Sequence, residues 1–345
     1  MPTLQLNRFR GTYLTALTFC VAFVSGCTNN QPTDLVVYCA HDAQHAESII
    51  QLFEKRTGLN VDVRFDEEAS KSLGLTNRLI SEKTSPRCDV FWNNQTLGTI
   101  RLMSENVLQP YISPNAERIP DHYRNAEGYW TGFAGRLRVY IVNTENMTAT
   151  PEAVEQALQK QSLSRVAIAQ PMFGTTLSHY SVLADLWGTD QLQQWHQDIR
   201  AKGIREVRGN SMTRDLVAEG ICDVAFTDTD DAFGAIDAGK PVTMFPVRLK
   251  NGKTICLPNS VAMIANCPHQ ENAKRLIDFL LSEETELLLA QSNARQIPLG
   301  KVGRSQVPAE VRELQQWAKD GISLEGAATV NQSTLDWLTR EYTGQ

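Results

Sequence analysis

The chain lacks the short motifs that bring catalytic groups together. It has no Gly-x-Ser-x-Gly elbow, no Walker-type phosphate loop and no Gly-x-Gly-x-x-Gly nucleotide fingerprint. Cys39 and His41 are the nearest approach to a nucleophile with its base, and no third group stands by to orient them. An enzyme is therefore not expected. Positive charge is also in short supply, with 33 Lys and Arg against 39 Asp and Glu and a formal net charge of −6. That balance argues against nucleic acid as a partner and against charge-driven adhesion to anionic lipid. Cysteine spacing offers no Cys-x-x-Cys, which excludes the common zinc and redox sites. Beyond the first residues no run is apolar enough to span a bilayer, and no repeat or low-complexity tract is visible.

The one apolar run that does stand out lies at the N-terminus. Arg8 and Arg10 precede an apolar stretch from Thr12 to Val24, which ends in Val24-Ser25-Gly26-Cys27. The stretch is well short of the ~20 residues that a spanning helix needs, and small residues precede the cysteine as a signal peptidase requires. The pattern predicts a lipoprotein signal peptide over residues 1–26, with lipid on Cys27 and a polar tether over residues 27–34. The mature protein would then be exported, periplasmic or at the outer cell surface, and lipid-anchored to a membrane. Five further cysteines remain: Cys39, Cys88, Cys222, Cys256 and Cys267. Five allow at most two disulfides, and both a Cys39–Cys88 and a Cys256–Cys267 pairing stay open.

The rest of the chain alternates between two periodicities. Leu35 to Tyr38 is a continuous apolar strand; Ala46, Ile49, Ile50 and Phe53 follow at helical spacing until Gly58; Leu59, Val61, Val63 and Phe65 then alternate by two. Strand, helix and strand in that order imply a parallel sheet covered by helices. Asp89 to Trp92 is a further strand. After a break near Trp130, Arg138 to Val142 forms a long strand that reads as a hinge crossing, and the alternation resumes with strands at Arg165–Gln170 and Cys222–Thr227. Cys256–Ile264 is another strand, and the last 40 or so residues read as helical. The organisation predicts two α/β lobes, one from residues 35–135 and 262–305 and the other from residues 136–261 and 306–345.

Open α/β sheets present ligands with the loops beyond the carboxyl ends of their strands. Four loops qualify. The first carries His41 and Asp42 behind Tyr38, with His45 at the start of the following helix, and either His41 or Asp42 can ligate or neutralise a cation. The second, Trp92-Asn93-Asn94-Gln95, offers the amides of Asn94 and Gln95 and an indole wall. In the third, Gly174 and Thr175 open a helix whose N–H groups and dipole suit an anion, and Asn210 opens another helix in the same way. The fourth, Thr227-Asp228-Thr229-Asp230-Asp231, crowds three carboxylates into four residues. Such a cluster either over-caps a helix or awaits a cation, whether a hard metal ion or an ammonium held between aromatics such as Tyr38, Trp92 and Trp130.

Leu-Val-Val-Tyr-x-Ala-His-Asp near the start, Cys88-Asp89-Val90-Phe91-Trp92, Asn210-Ser211 and Pro258-Asn259-Ser260-Val261-Ala262 occur in an order that resembles the ferric-iron-binding solute receptors of ABC importers, from about Asp34 to Leu299. The resemblance implies the type II periplasmic binding protein fold, with two α/β lobes, a hinge and a ligand cleft between them. It also implies delivery of cargo to ABC permease membrane subunits by a monomeric receptor, with ferric iron as cargo, an accompanying anion, and no catalytic cofactor. Carried over by position, His41 or Asp42 sits where the family has a histidine, and Asn94 or Gln95 where it has a glutamate. Thr229 and Asp230 stand where the family has two tyrosines, while Gly174, Thr175 and Asn210 match its anion-holding groups. On this basis His41, Asp42, Gln95, Asp228, Asp230 and Asp231 are the expected ligand-binding residues. Loss of both phenolates leaves the cargo open between ferric iron and a small organic cation such as a polyamine.

Overall fold

The computed structural model describes residues 32–66 and 72–344; the expected signal segment and the lipid site at Cys27 lie outside them. Strand β1 (Leu35–Cys39) enters helix α1 (Ala43–Thr57), whose Ala46, Ile49, Ile50 and Phe53 are buried on one face. The helix stops at Gly58, which takes φ 72°, a left-handed conformation, and donates its N–H to Glu54 at 2.8 Å. Next come β2 (Val61–Phe65), α2 (Leu73–Ser81), β3 (Val90–Asn93), α3 (Leu97–Ser104) and the short β4 (Leu108–Gln109). The remaining elements are β5 (Thr131–Asn143), α4 (Pro151–Gln159), β6 (Val166–Ala169), α5 (Gly174–Trp187), α6 (Thr189–Ala201), β7 (Arg205–Val207), α7 (Asn210–Ala218), β8 (Val224–Asp228), α8 (Thr229–Asp237), β9 (Val242–Pro246), β10 (Cys256–Ile264), α9 (Gln270–Leu280), α10 (Glu283–Gln291), α11 (Ala309–Ala318) and α12 (Glu325–Thr343).

The strands follow the order β2-β1-β3-β10-β5-β8-β6-β7, with β4 on β10 and β9 on β5. β1 runs parallel to β2 and β3, and β6 parallel to β7 and β8, while β5 and β10 run antiparallel to their neighbours. Each flank is thus a parallel α/β half-sheet. β5 joins them: its residues 131–137 pair with β10, and its residues 138–143 pair with β8 and β9. The expected passage between lobes at residues 135–136 falls inside this strand.

The junction is irregular. Ala134 adopts φ 42°, and the register shifts opposite it between Pro258 and Asn259. A fully buried carboxylate holds the distortion, because Glu286 accepts the N–H of Ala134 at 3.0 Å, of Leu299 at 2.8 Å and of Gly300 at 3.1 Å, and pairs with Arg118 at 3.0 Å. Hydrophobic clusters fill both sides of the sheet, one under β1, β3 and β10 and others under β5, β6 and β8.

Neither cysteine pairing left open by the sequence occurs. Cys39, Cys88, Cys222, Cys256 and Cys267 are all buried, and none of them is in a disulfide. The strands explain this. β1 and β3 are parallel with Cys39 opposite Trp92, four residues beyond Cys88, and Cys256 opens β10 while Cys267 lies past its far end at Ile264. Extended chain at about 3.3 Å per residue keeps both pairs beyond disulfide reach.

Candidate ligand site

Five helix starts and strand ends converge on one cavity of about 210 Å³. Asp42 enters it ahead of α1, Asn94 after β3, Arg136 from β5, Gly174 and Thr175 at the start of α5, Arg208 and Asn210 around the start of α7, and Asp228, Asp230 and Asp231 at the turn from β8 into α8. The cap positions of α5 and α7 are Phe173 and Gly209, and neither gives a side-chain cap. Their first N–H groups and the positive ends of both dipoles are turned to the cavity, a setting that favours an oxyanion. Gly174 sits at φ 60°, so the turn that presents these groups requires glycine.

The three aspartates of the acidic turn do different work. Their carboxylate oxygens lie within 4.8 Å of one another. Asp228 is committed to the protein: its Oδ1 accepts Arg138 Nη1 at 2.7 Å, and its Oδ2 accepts Thr175 Oγ1 at 2.5 Å and Asn210 Nδ2 at 2.9 Å. Arg138 is wholly buried, so this pair neutralises a charge inside the sheet. Asp230 and Asp231 are half-buried and offer carboxylates to the cavity. Burial raises the pKa of both, that of Asp231 well above the usual carboxylate range. For Asp230 the Arg136 guanidinium offsets part of this while Asp228 and Asp42 add to it; for Asp231 the neighbours Asp230 and Asp228 add to it.

Arg136 is the centre of this field. It lies 3.4 Å from Asp230 and 3.8 Å from Asp228, and it donates Nη2 to the carbonyl of Asn94 at 2.8 Å. Burial works against its charge, but Asp230, Asp228, Asp42 and Asp231 outweigh it and hold the pKa above the ordinary value. Its Nε has no hydrogen-bond partner, and neither has the buried Oδ1 of Asn94. Two residues of the lining thus carry buried polar atoms without a hydrogen-bond partner, a donor on Arg136 and an acceptor on Asn94.

Of the residues expected from sequence, Asp42, Asn94, Gly174, Thr175, Asn210, Asp228, Asp230 and Asp231 meet here. Others are placed elsewhere. The amide of Gln95 accepts the N–H of Leu97 at 2.8 Å and donates to Ser72 at 2.7 Å, so it fastens the start of α3 and is not in the cavity lining. The buried His41 ring stacks on Trp92, centroids 5.4 Å apart, with Gln296 at 3.5 Å, and is not in the lining either. Tyr38, Trp92 and Trp130 are core residues and do not wall the cavity. The Tyr38 hydroxyl donates to Glu82 at 2.9 Å, and burial together with that bond raises its pKa to about 12. Sequence reading missed Arg136 and Arg208. The signal for Arg136 was present, since two arginines alternating through the apolar run of β5 are an anomaly that calls for buried partners.

Two α/β half-sheets joined by one crossing strand, with helix starts from both flanks around a polar cavity, define a two-sided solute receptor. Comparison agrees: residues 48–305 match the family of bacterial extracellular solute-binding proteins, and the chain belongs to it. It is similar to Iron uptake protein A1 of Synechocystis sp. (strain ATCC 27184 / PCC 6803 / Kazusa), with 24% identity over 77% of this chain and 76% of that one. It is also similar to a putative 2-aminoethylphosphonate-binding periplasmic protein of Salmonella typhimurium, with 22% identity over 77% of each. Among solved structures, the ferric binding protein from Campylobacter jejuni superposes with a TM-score of 0.77 at 18% identity, covering 90% of this chain and 99% of that one. The fold is that of the type II periplasmic binding proteins, and the chain is a transport receptor rather than an enzyme.

Proposed function

We propose that this protein captures ferric iron with a small oxyanion in the cavity between the half-sheets and hands the cargo to the permease of an ABC importer. The observation that carries the reading is the paired character of the site. Asp230 and Asp231, with Asp42 from the other half-sheet, supply hard oxygen donors for a trivalent cation, and the starts of α5 and α7 with Arg136 line the same cavity as an anion seat. Relatives named for iron uptake support it. In the same reading, residues 35–135 with 262–305 and residues 136–261 with 306–345 move as lobes about β5, and lipid on Cys27 keeps the receptor beside its permease. The experiment is equilibrium dialysis of the lipid-free protein against ferric citrate. One iron per chain, retained in the wild type and lost in Asp230→Asn, supports the reading; no retained iron refutes it.

A second reading is favoured by one observation, the placing of Arg136 among four aspartates with no tyrosine in the cavity lining. A small solute that carries an amine and a phosphonate or phosphate would satisfy both charges without a metal. A polyamine has less support, because the aromatic residues expected to wall its site lie in the core. Thermal stabilisation by an aminoalkylphosphonate in the presence of a chelator would select this reading.

A further inference from the structure

The second half-sheet holds another cavity, of about 160 Å³, that shares no lining residue with the cargo site. Its walls are aromatic and aliphatic. Tyr140 meets Phe226 edge-on at 5.0 Å between ring centroids, and Trp187 meets Trp195 edge-on at 5.8 Å, with aliphatic side chains such as Leu163, Leu183, Ile199 and Val247 making up the rest of the apolar surface. A dry apolar cavity of about this size takes up a single aromatic ring.

Two features are out of place in a mere packing void. His179 lies in the wall with 2% of its surface exposed, and its Nδ1 has no hydrogen-bond partner. Burial and the nearby Arg138 lower its pKa well below the usual histidine value, so it stands as a neutral imidazole. At the other extreme, the lining includes two exposed cations, Arg248 and Lys250, and no acid. Arg248 is engaged by Asp320 at 3.3 Å and by the Gly252 carbonyl at 2.9 Å, which leaves Lys250 as the cation available to a ligand.

The geometry points to a second ligand site, which takes a small aromatic carboxylate whose ring lies between Tyr140, Phe226, Trp187 and Trp195, with its carboxylate at Lys250 and a hydrogen-bonding substituent at His179. Each part answers one feature: the ring fills the aromatic walls, the carboxylate balances an unopposed cation, and the substituent satisfies a buried polar atom. The inference is independent of the cargo.

Tryptophan fluorescence of the full mature chain, titrated with 4-hydroxybenzoate, benzoate and toluene, tests it. The expected result is saturable binding with 4-hydroxybenzoate tightest. Lys250→Ala should weaken both carboxylates about fivefold and leave toluene unchanged, as the loss of a half-exposed ion pair permits. His179→Phe should abolish the preference for the hydroxylated compound, which is about fivefold for one hydrogen bond. Lys250 is exposed, so its variant keeps the test valid even where His179→Phe fails to fold. No saturable change with 4-hydroxybenzoate, equal affinity for toluene, or an unaltered response in Lys250→Ala would overturn the proposal.

Discussion

The acidic turn divides into a structural aspartate and two that offer their carboxylates to the cavity, and substitution by asparagine separates them. Asp228→Asn leaves the shape intact and removes the charge opposite Arg138, which has no exposed side-chain surface and lies 2.7 Å from Asp228 Oδ1. Breaking a buried pair by removing one partner costs about 3–5 kcal/mol. The asparagine oxygen still accepts a hydrogen bond, so the lower end applies, and ~3 kcal/mol corresponds to a fall of roughly 4–5 °C in melting temperature for a chain of this size. Asp230→Asn should behave in the opposite way. Its carboxylate, 22% exposed, is already disfavoured by burial, so losing the charge costs little stability while cargo affinity drops. Chemical denaturation of both variants without ligand, followed by ligand titration, reads the two effects apart. Equal stability of Asp228→Asn and wild type, or a larger loss in Asp230→Asn than in Asp228→Asn, would refute the division.

The raised pKa values of Asp230 and Asp231 set a direction for pH. The folded protein binds these protons more tightly than the unfolded chain, so their contribution to stability is largest below the ordinary carboxylate range and is lost as pH rises through the folded values. Urea midpoints of ligand-free protein should therefore decline more over that window in wild type than in an Asp230→Asn, Asp231→Asn double variant; identical profiles would contradict the shifts. Glu286→Gln should destabilise by about 3 kcal/mol, because the amide cannot accept all three backbone N–H groups and leaves Arg118 without its counter-charge. Denaturation midpoints unchanged within error would show that the bulge at Ala134 holds without it.

The fold was legible where apolar periodicity is strong. Ala46, Ile49, Ile50 and Phe53 marked α1 and Gly58 its end, and the run from Leu35 gave β1. α3 and α4 were not read. Each is short, at eight and nine residues, with too few turns to establish a period. β7 and β9 were not read either: β7 is only three residues long, and β9, Val-Thr-Met-Phe-Pro, is short and closes on a proline that interrupts a strand pattern. β5 was read from Arg138 onward, but it starts at Thr131, because glycines at 132 and 135 weaken the strand pattern while the tertiary fold extends it.

The candidate site was legible where local chemistry is anomalous, as in the run Asp228 to Asp231 and the glycine before Thr175. It was illegible where the decision belongs to packing. Nothing local in Tyr38, Trp92 or Trp130 says whether an aromatic faces a cleft or the core, and their places in the first half-sheet cluster decide it. Gln95 and Asn94 are neighbours with similar groups. Only the three-dimensional arrangement directs one to the start of α3 and the other to the cavity.

In the proposed function the acidic turn and the starts of α5 and α7 together hold a ferric ion with its anion. Anomalous diffraction at the iron edge, from crystals of protein loaded with ferric citrate, tests this most directly. One peak per chain is expected within coordination distance of the Asp230 and Asp231 carboxylates, with an oxyanion between the peak and the starts of α5 and α7. A cavity without anomalous signal, or iron bound only elsewhere on the surface, would contradict it.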